Sequence, residues 1–150
     1  MSDRNIVHAT FTLERTYSAP VPRVFHAWAD PGVKALWFAG GPNGYEMDFR
    51  PDGIERNLFA HDGKKITWES LYREIVPERR IVYTSVLSED DAVATVSLTT
   101  VEFSTDGRTT SLVLTETGAY LDGRELPEWR EQGTADWLDS LGRHLAEAHS

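Results

Sequence analysis

The sequence contains no cysteine and no long hydrophobic run. A chain without cysteine has no disulfide, no thiolate metal site and no cysteine nucleophile. No apolar stretch approaches the ~18 residues of a membrane-spanning helix, and the opening segment MSDRNIVHATF lacks the apolar core of a secretion signal. These absences predict a cytoplasmic protein with no membrane association.

Positive charge is also scarce. The chain has 15 Lys and Arg against 24 Asp and Glu, for a formal net charge of −9 at pH 7. Binding to a phosphate backbone needs a concentrated basic surface, so we expect no nucleic-acid partner. The acidic residues are spread along the chain rather than gathered in a tail, which indicates a role in solubility.

Several catalytic and cofactor motifs are missing. None of the five histidines is paired at the four-residue spacing of a helical metal site with a carboxylate between. No serine lies in a Gly-x-Ser-x-Gly elbow, and the glycine-rich stretch 40–44 is not followed by the Lys-Ser or Lys-Thr of a phosphate-binding loop. We therefore expect no metal and no cofactor.

The length of 150 residues fits one domain, 1–150. Residues 7–17 alternate between apolar and polar, which predicts a half-buried strand. Val21, Val24, Phe25 and Trp28 then recur at helical spacing, and Asp30-Pro31-Gly32 ends that short helix. A second short helix is predicted at about 31–37.

Six further strand-like runs follow, separated by turn signals such as Pro51-Asp52-Gly53 and Thr105-Asp106-Gly107. Short connections of this kind join antiparallel neighbours, so the runs predict a meander with one apolar face to cover. The runs are 45–50, 54–61, 65–76, 80–87, 92–104 and 109–120.

The last segment, 126–147, is predicted to form a helix that covers the apolar face of the meander. Its apolar residues Trp129, Trp137, Leu138, Leu141 and Leu145 predict one face of a long helix, with Gly133 on that face and Arg130 on the opposite one. One amphipathic helix on one antiparallel sheet is an α+β fold. We expect Trp137 to anchor the core, so that its replacement by alanine lowers stability by roughly 3–5 kcal/mol.

Four stretches, taken in order, resemble a known family. They are FTLERTYSAPVPRVFHAWADPGVKALWF, LYREIVPERRIVYT, TTVEFSTDGRTTSLVLTE and EQGTADWLDSLGRHLAE, which together span nearly the whole chain. Their order resembles the START-like (SRPBCC) superfamily and, within it, the activator of heat-shock-protein-90 ATPase homologue family. Two departures are Pro77-Glu78, where the family usually has two prolines, and Gly133-Thr134, where it more often has Gly-Trp.

The resemblance implies a helix-grip fold: a curved antiparallel seven-stranded sheet wrapped on the C-terminal helix, with two short helices after strand 1. It also implies a cavity between the sheet and that helix. Members of the superfamily bind lipids, hormones and polyketides, and some cyclise or hydrolyse them, so the fold does not choose the function.

Aromatic residues are the strongest functional signal. Five tryptophans occur in 150 residues, and pockets for small ligands are lined by such side chains. We expect an apolar pocket of a few hundred Å³, bordered by at least three of a set of five aromatics, with the 39–44 loop as a gate. The five are Trp37, Phe38, Trp68, Tyr72 and Trp129.

Strand parity adds polar candidates. By analogy with the family, Glu74, Glu116 and Tyr120 face inward, where a buried carboxyl would have a raised pKa and could act as an acid or base. Pairing of each carboxylate with a nearby arginine is the structural alternative. The predicted ligand-binding residues are Trp37, Phe38, Trp68, Tyr72, Glu116, Tyr120, Trp129 and Gly133.

Three functions follow from this pattern. The first is binding of a small apolar or aromatic ligand. The second is an enzyme of the polyketide cyclase, aromatase or hydrolase type that uses a pocket carboxylate or tyrosine. The third is a protein-interaction module resembling a chaperone cofactor. No catalytic residue is assigned, catalysis is left open, and a homodimer is possible.

Overall fold

A computed structural model describes residues 5–147 of the protein; residues 1–4 and 148–150, the ends of the predicted domain, lie outside the described residues. The chain forms seven strands and three helices. In chain order they are β1 (Ile6–Tyr17), α1 (Val21–Ala29), α2 (Pro31–Phe38), β2 (Tyr45–Met47), β3 (Ile54–His61), β4 (Lys64–Val76), β5 (Arg80–Glu89), β6 (Ala92–Thr105), β7 (Thr110–Leu121) and α3 (Pro127–Glu147).

The strands form one antiparallel sheet in the order β1-β7-β6-β5-β4-β3-β2. The predicted turn segments lie between the strands, and Asp52, Asp62 and Glu78 have positive φ there. Aspartate tolerates this left-handed backbone better than most residues do. The curved seven-stranded sheet, the two short helices after β1 and the long C-terminal helix confirm the predicted helix-grip α+β fold.

The two short helices are fixed to each other by polar contacts. The Asp30 carboxylate accepts a hydrogen bond from the Val33 N–H at 3.0 Å and so caps the start of α2. The Trp37 indole donates to the Ala27 carbonyl at 2.9 Å, which ties the end of α2 back to α1. These contacts set the direction in which α2 presents its last residue, Phe38.

The two halves of α3 differ. In the C-terminal half, Leu138, Leu141 and Leu145 are buried in the core, and Tyr17 donates a hydrogen bond to the Leu138 carbonyl at 2.9 Å. In the N-terminal half, by contrast, the buried side chains are polar. Within residues 5–147, every helix is too short or too polar to cross a bilayer.

The predicted helical stripe was wrong at its N-terminal end. Trp129 is 60% exposed, whereas Arg130, expected on the opposite face, is buried. Arg130 is buried because a buried and a half-buried carboxylate, Glu116 and Glu125, neutralise it, and a hydropathy pattern does not detect burial of this kind. Trp137 is half-buried and packs edge-on against Trp28, with ring centroids 5.7 Å apart.

Candidate functional site

A cavity of about 940 Å³ lies between the N-terminal half of α3 and the strands β3, β4 and β5. The end of α2 and the β7–α3 connection complete its wall. The lining residues are Phe38, Asn57, Phe59, His61, Asp62, Lys64, Ile66, Trp68, Leu87, Glu89, Asp122, Gly123, Arg124, Glu125, Trp129, Arg130, Gly133, Thr134 and Trp137.

The inner part of the cavity is aromatic. Phe38 packs against Trp68 at 6.2 Å and against Trp137 at 5.1 Å between ring centroids. Ile66 and Leu87 add aliphatic surface. Rings held edge to face leave apolar surface against which a flat ligand can pack.

Two exposed aromatics, Phe59 on β3 and Trp129 on α3, lie at the solvent side of the cavity. Between α3 and the strands, Gly133 keeps the space open, because a Cβ added there would meet no atom within 4 Å. A larger side chain at this position would therefore project into the cavity.

Arg130 and Glu125 form a polar part of the cavity wall, and Glu116 lies behind Arg130; we call these three residues the wall cluster. Arg130 Nη1 donates to Glu116 Oε2 at 2.8 Å. Its Nε and Nη2 donate to the two oxygens of Glu125 at 3.0 and 2.9 Å, a bidentate pair. The guanidinium also lies over the Trp68 ring, 4.8 Å from the centroid.

The carboxylates of the wall cluster have further donors. Thr99 donates to Glu116 at 2.8 Å and Thr95 to Glu125 at 2.6 Å. Burial by itself lowers the pKa of Arg130, but the two carboxylates outweigh it and raise the pKa above its usual value. The arginine therefore stays charged, and the cluster holds two carboxylates against one cation.

A second buried group of charges, the closed cluster, lies outside the cavity lining. It comprises Lys34, Glu55, Tyr45 and Tyr72. The Lys34 ammonium lies 2.9 Å from Glu55 Oε2, and both side chains are only 1% exposed. Tyr72 donates to Glu55 Oε1 at 3.1 Å, and Tyr45 donates to the other oxygen.

Aromatic rings surround the ammonium of the closed cluster. Lys34 Nζ lies 4.8 Å from the Phe38 ring centroid and 5.1 Å from that of Trp28. Burial lowers the pKa of Lys34, with Glu55 opposing, and burial raises the pKa of Tyr72. Phe38 contacts the Lys34 ammonium and also lines the cavity, so its ring lies between the closed cluster and the cavity.

Four of the eight predicted site residues line the cavity: Phe38, Trp68, Trp129 and Gly133. Three of the five predicted aromatics are thus at its wall. The other four predicted residues do not line it. Trp37 packs on Trp28 in the core, Tyr72 belongs to the closed cluster, and Glu116 lies behind Arg130.

Tyr120, the remaining predicted residue, is buried on β7, and its hydroxyl has no hydrogen-bond partner among the described residues. Burial raises its pKa to about 12, against the opposing effect of Arg130. The side chain lies near the wall cluster without reaching the cavity.

Two other sequence predictions need correction. Glu74 does not face inward: it is exposed and pairs with Arg80 at 2.6 Å, because a β-bulge between Tyr72 and Glu74 shifts the register. The 39–44 loop lies along β3, where Leu58 N–H donates to the Gly44 carbonyl at 2.8 Å. That loop contributes none of the lining residues, so its role as a gate stays a prediction.

Sequence reasoning missed Asn57, Phe59, Glu125 and Arg130 at the site. Strand alternation in run 54–61 could have shown that Asn57 and Phe59 share the face of Glu55. For metal, no three His, Asp or Glu side chains in residues 5–147 are grouped so that they could hold an ion.

A curved sheet closed over a cavity by a C-terminal helix defines a START-like, helix-grip protein. Residues 18–146 match the family described as activator of Hsp90 ATPase homolog 1-like protein. The chain therefore belongs to that family.

Solved structures agree with this assignment. A protein from Rhizobium leguminosarum is 39% identical over 96% of this chain and 98% of its own, with a TM-score of 0.91. The Mll3558 protein from Rhizobium loti is 36% identical over 93% and 98%, with a TM-score of 0.87. Protein CV1439 from Chromobacterium violaceum is 28% identical over 91% and 96%, with a TM-score of 0.74. No functionally curated protein matches the sequence.

Proposed function

We propose that the protein binds a small apolar or aromatic molecule in the cavity between the sheet and α3. The observation that carries the proposal is the cavity itself: about 940 Å³, with Phe38, Phe59, Trp68, Trp129 and Trp137 in its wall. This volume lies at the upper end of the range for small-ligand sites, which are mostly apolar with a few polar groups.

Gly133 supports the proposal from the side of the helix. Glycine within a helix lowers helix stability by roughly 1 kcal/mol relative to alanine. At this position no close contact requires glycine, since a Cβ built there would meet open space. The absence of a side chain enlarges the cavity, which is useful to a binding protein and has no evident benefit for packing.

The second candidate is an enzyme that uses a carboxylate of the cavity wall. Glu125 lines the cavity and Glu116 lies directly behind Arg130, so ionisable groups do converge there. Each carboxylate already accepts hydrogen bonds from Arg130 and a threonine, so both are engaged in structural contacts rather than free to face a substrate. Turnover of an aromatic ester or polyketide-like substrate that is lost in Glu125→Gln would support the enzyme.

Partners and location follow from composition and surface. We propose a cytoplasmic protein without a nucleic-acid partner, because the net charge of −9 opposes phosphate binding. Val86, Val96 and Leu98 are exposed on the side of the sheet away from the core, and Val86 lies directly opposite Val96. A homodimer through these three apolar residues is the corresponding proposal, and sedimentation of wild type and Val96→Lys would test it.

Two experiments test the binding function. Native mass spectrometry of protein purified from its own host should retain a small molecule of defined mass. Naphthalene, a plain aromatic probe, should quench the tryptophan fluorescence saturably, because Trp68, Trp129 and Trp137 border the cavity. Failure of both, with the protein folded, would overturn the proposal.

A further inference from the structure

Asn57 is the one neutral side-chain amide in the cavity wall. It lies on β3, opposite Tyr45 of β2 and Trp68 of β4, and is only 9% exposed. No hydrogen bond joins its amide to another residue in 5–147, and the amide atoms are not completely buried, so a molecule in the cavity can reach them.

An asparagine amide carries a carbonyl acceptor and an NH₂ donor side by side in one plane. Both groups are therefore free to form hydrogen bonds with a molecule that enters the cavity. The amide becomes useful if a ligand brings the complementary pair, a donor beside an acceptor. Phe38 and Trp68, which line the same cavity, would contact the faces of such a ligand.

The charges of the wall determine which ligands are excluded. Arg130 is the only buried cation that lines the cavity within residues 5–147, and its Nε, Nη1 and Nη2 groups already donate to Glu125 and Glu116. Of the lining residues, Lys64, Arg124 and Arg130 are cationic, against the carboxylates of Asp62, Glu89, Asp122 and Glu125.

A ligand carboxylate would therefore lose its hydration and meet a wall with more negative than positive charge. Repulsion between like charges grows as the local dielectric falls. Four of the five N–H groups of Arg130 already donate to Glu125, Glu116 and Ser97, so Arg130 offers a ligand carboxylate at most one N–H and no bidentate pairing. The wall cluster acts as a filter against anions rather than as an anion site.

We propose that the cavity selects an electrically neutral aromatic ligand that carries a hydrogen-bond donor beside an acceptor, such as a lactam or carboxamide, and that Asn57 recognises this edge. The inference rests on the proposed binding function and adds the chemical class of the ligand. Asn57 is assigned as the specificity-determining residue.

Three probes of similar size and shape test separately whether the cavity prefers a ligand with a polar edge and whether it excludes an anion. They are 2-quinolinone, a neutral lactam; naphthalene, which has no polar edge; and 2-naphthoate, an anion at pH 7. Equilibrium dialysis gives the dissociation constant of each from the absorbance of the probe. We expect 2-quinolinone to bind about fivefold to tenfold more tightly than naphthalene, and 2-naphthoate to bind more weakly than either.

The variant Asn57→Leu keeps the size of the side chain and removes the amide. It should bind 2-quinolinone and naphthalene about equally, while Asn43→Leu, a matched change at an exposed asparagine of the 39–44 loop, should retain the wild-type preference. Thermal unfolding of both variants checks the fold. A variant that has lost its fold is replaced by Asn57→Ser, from which the same loss of preference is expected.

The outcomes are distinct. Equal binding of 2-quinolinone and naphthalene by the wild type overturns the assignment of Asn57 and leaves the binding function standing. Tightest binding of 2-naphthoate overturns the filter against anions. Failure of all three probes to bind counts against both the ligand class and the proposed function.

Discussion

The two buried charge clusters use the same chemistry in different surroundings. In the closed cluster, Lys34 and Glu55 are each 1% exposed. In the wall cluster, Glu116 is 3% and Glu125 14% exposed, and the arginine borders the cavity. Each cation lies over an aromatic ring: the Phe38 ring for Lys34 and the Trp68 ring for Arg130.

The difference shows how a cavity is placed next to a core. Two hydrogen-bonding phenols and a ring of aromatics seal the closed cluster, which fastens α2 to β3 and β4. The wall cluster fastens α3 to β7 but keeps one side towards the cavity. Phe38 contacts Lys34 of the closed cluster and also lines the cavity beside the wall cluster. The closed cluster therefore positions a side chain that a ligand in the cavity would contact.

The largest effect is expected from Lys34→Met. It leaves the Glu55 carboxylate buried without its cation, which destabilises a fold by about 3–5 kcal/mol. Urea unfolding gives the change in free energy. The double variant Lys34→Met/Glu55→Gln should recover at least half of that loss, because glutamine is neutral and still accepts from Tyr72. A loss under ~1 kcal/mol for the single variant would mean that the pair is not closed to water.

Arg130→Met tests the other side of the comparison. Two carboxylates lose their cation, but Glu125 can reach water through the cavity, so we expect a smaller loss of about 2–3 kcal/mol. The measurement is again urea unfolding, at the same pH as for Lys34→Met. A loss larger than that of Lys34→Met would show the wall cluster to be the more closed of the two.

A pH titration sharpens the description of the closed cluster. Burial, followed by the nearby Glu55, raises the pKa of Tyr72 well above 10.0. Above pH 10 the unfolded chain ionises its tyrosines while Tyr72 stays protonated in the folded protein, so stability present below pH 10 is lost as the pH rises.

Tyr72→Phe isolates that contribution. Between pH 10 and 11 its stability should fall by about 1 kcal/mol less than that of the wild type. Urea unfolding at both pH values gives the difference. Parallel pH profiles for the two proteins would indicate that the Tyr72 hydroxyl ionises freely in the folded state.

The smallest stability effect is expected at the cavity mouth. Trp129→Ala removes a side chain that is 60% exposed, so stability should change by less than ~0.5 kcal/mol. Naphthalene binding should weaken about threefold to tenfold through loss of a stacking surface. Leu36→Ala, at an exposed leucine outside the cavity, is the control. Unchanged binding in Trp129→Ala would remove Trp129 from the site.

The fold was predictable because it rests on local signals. Strand alternation marks the individual strands, and turn residues such as Pro51-Asp52-Gly53 separate most of the consecutive predicted strands; each of these signals acts within a few residues. The resemblance to the family added the sheet curvature and the position of the helix. The bulge after Tyr72 broke the alternation, and with it the prediction for Glu74.

The site was harder to predict because its polar residues pair between a helix and a strand. Arg130 of α3 and Glu116 of β7 are 14 residues apart, and neither segment shows a charge pattern that links them. The buried face of α3 has regular helical spacing and consists of Arg130, Thr134, Leu138, Leu141 and Leu145. The predicted face instead included Trp129, the neighbour of Arg130, because tryptophan is the more apolar of the two residues. Phe38, Trp68 and Trp129 were predictable because the helix-grip resemblance brings the second short helix, the central strand and the start of the long helix together, whereas the partners that make Arg130 a wall residue were not.

We expect the ligand to bind in the space beside Gly133. Gly133→Leu tests it most directly, because the new side chain enters open space and leucine favours a helix. Gln132→Leu, at the adjacent exposed position, is the matched control. We expect Gly133→Leu to keep or raise the melting temperature and to weaken naphthalene binding at least about tenfold by filling the cavity, with Gln132→Leu unchanged. Wild-type naphthalene binding by a folded Gly133→Leu protein would contradict the account.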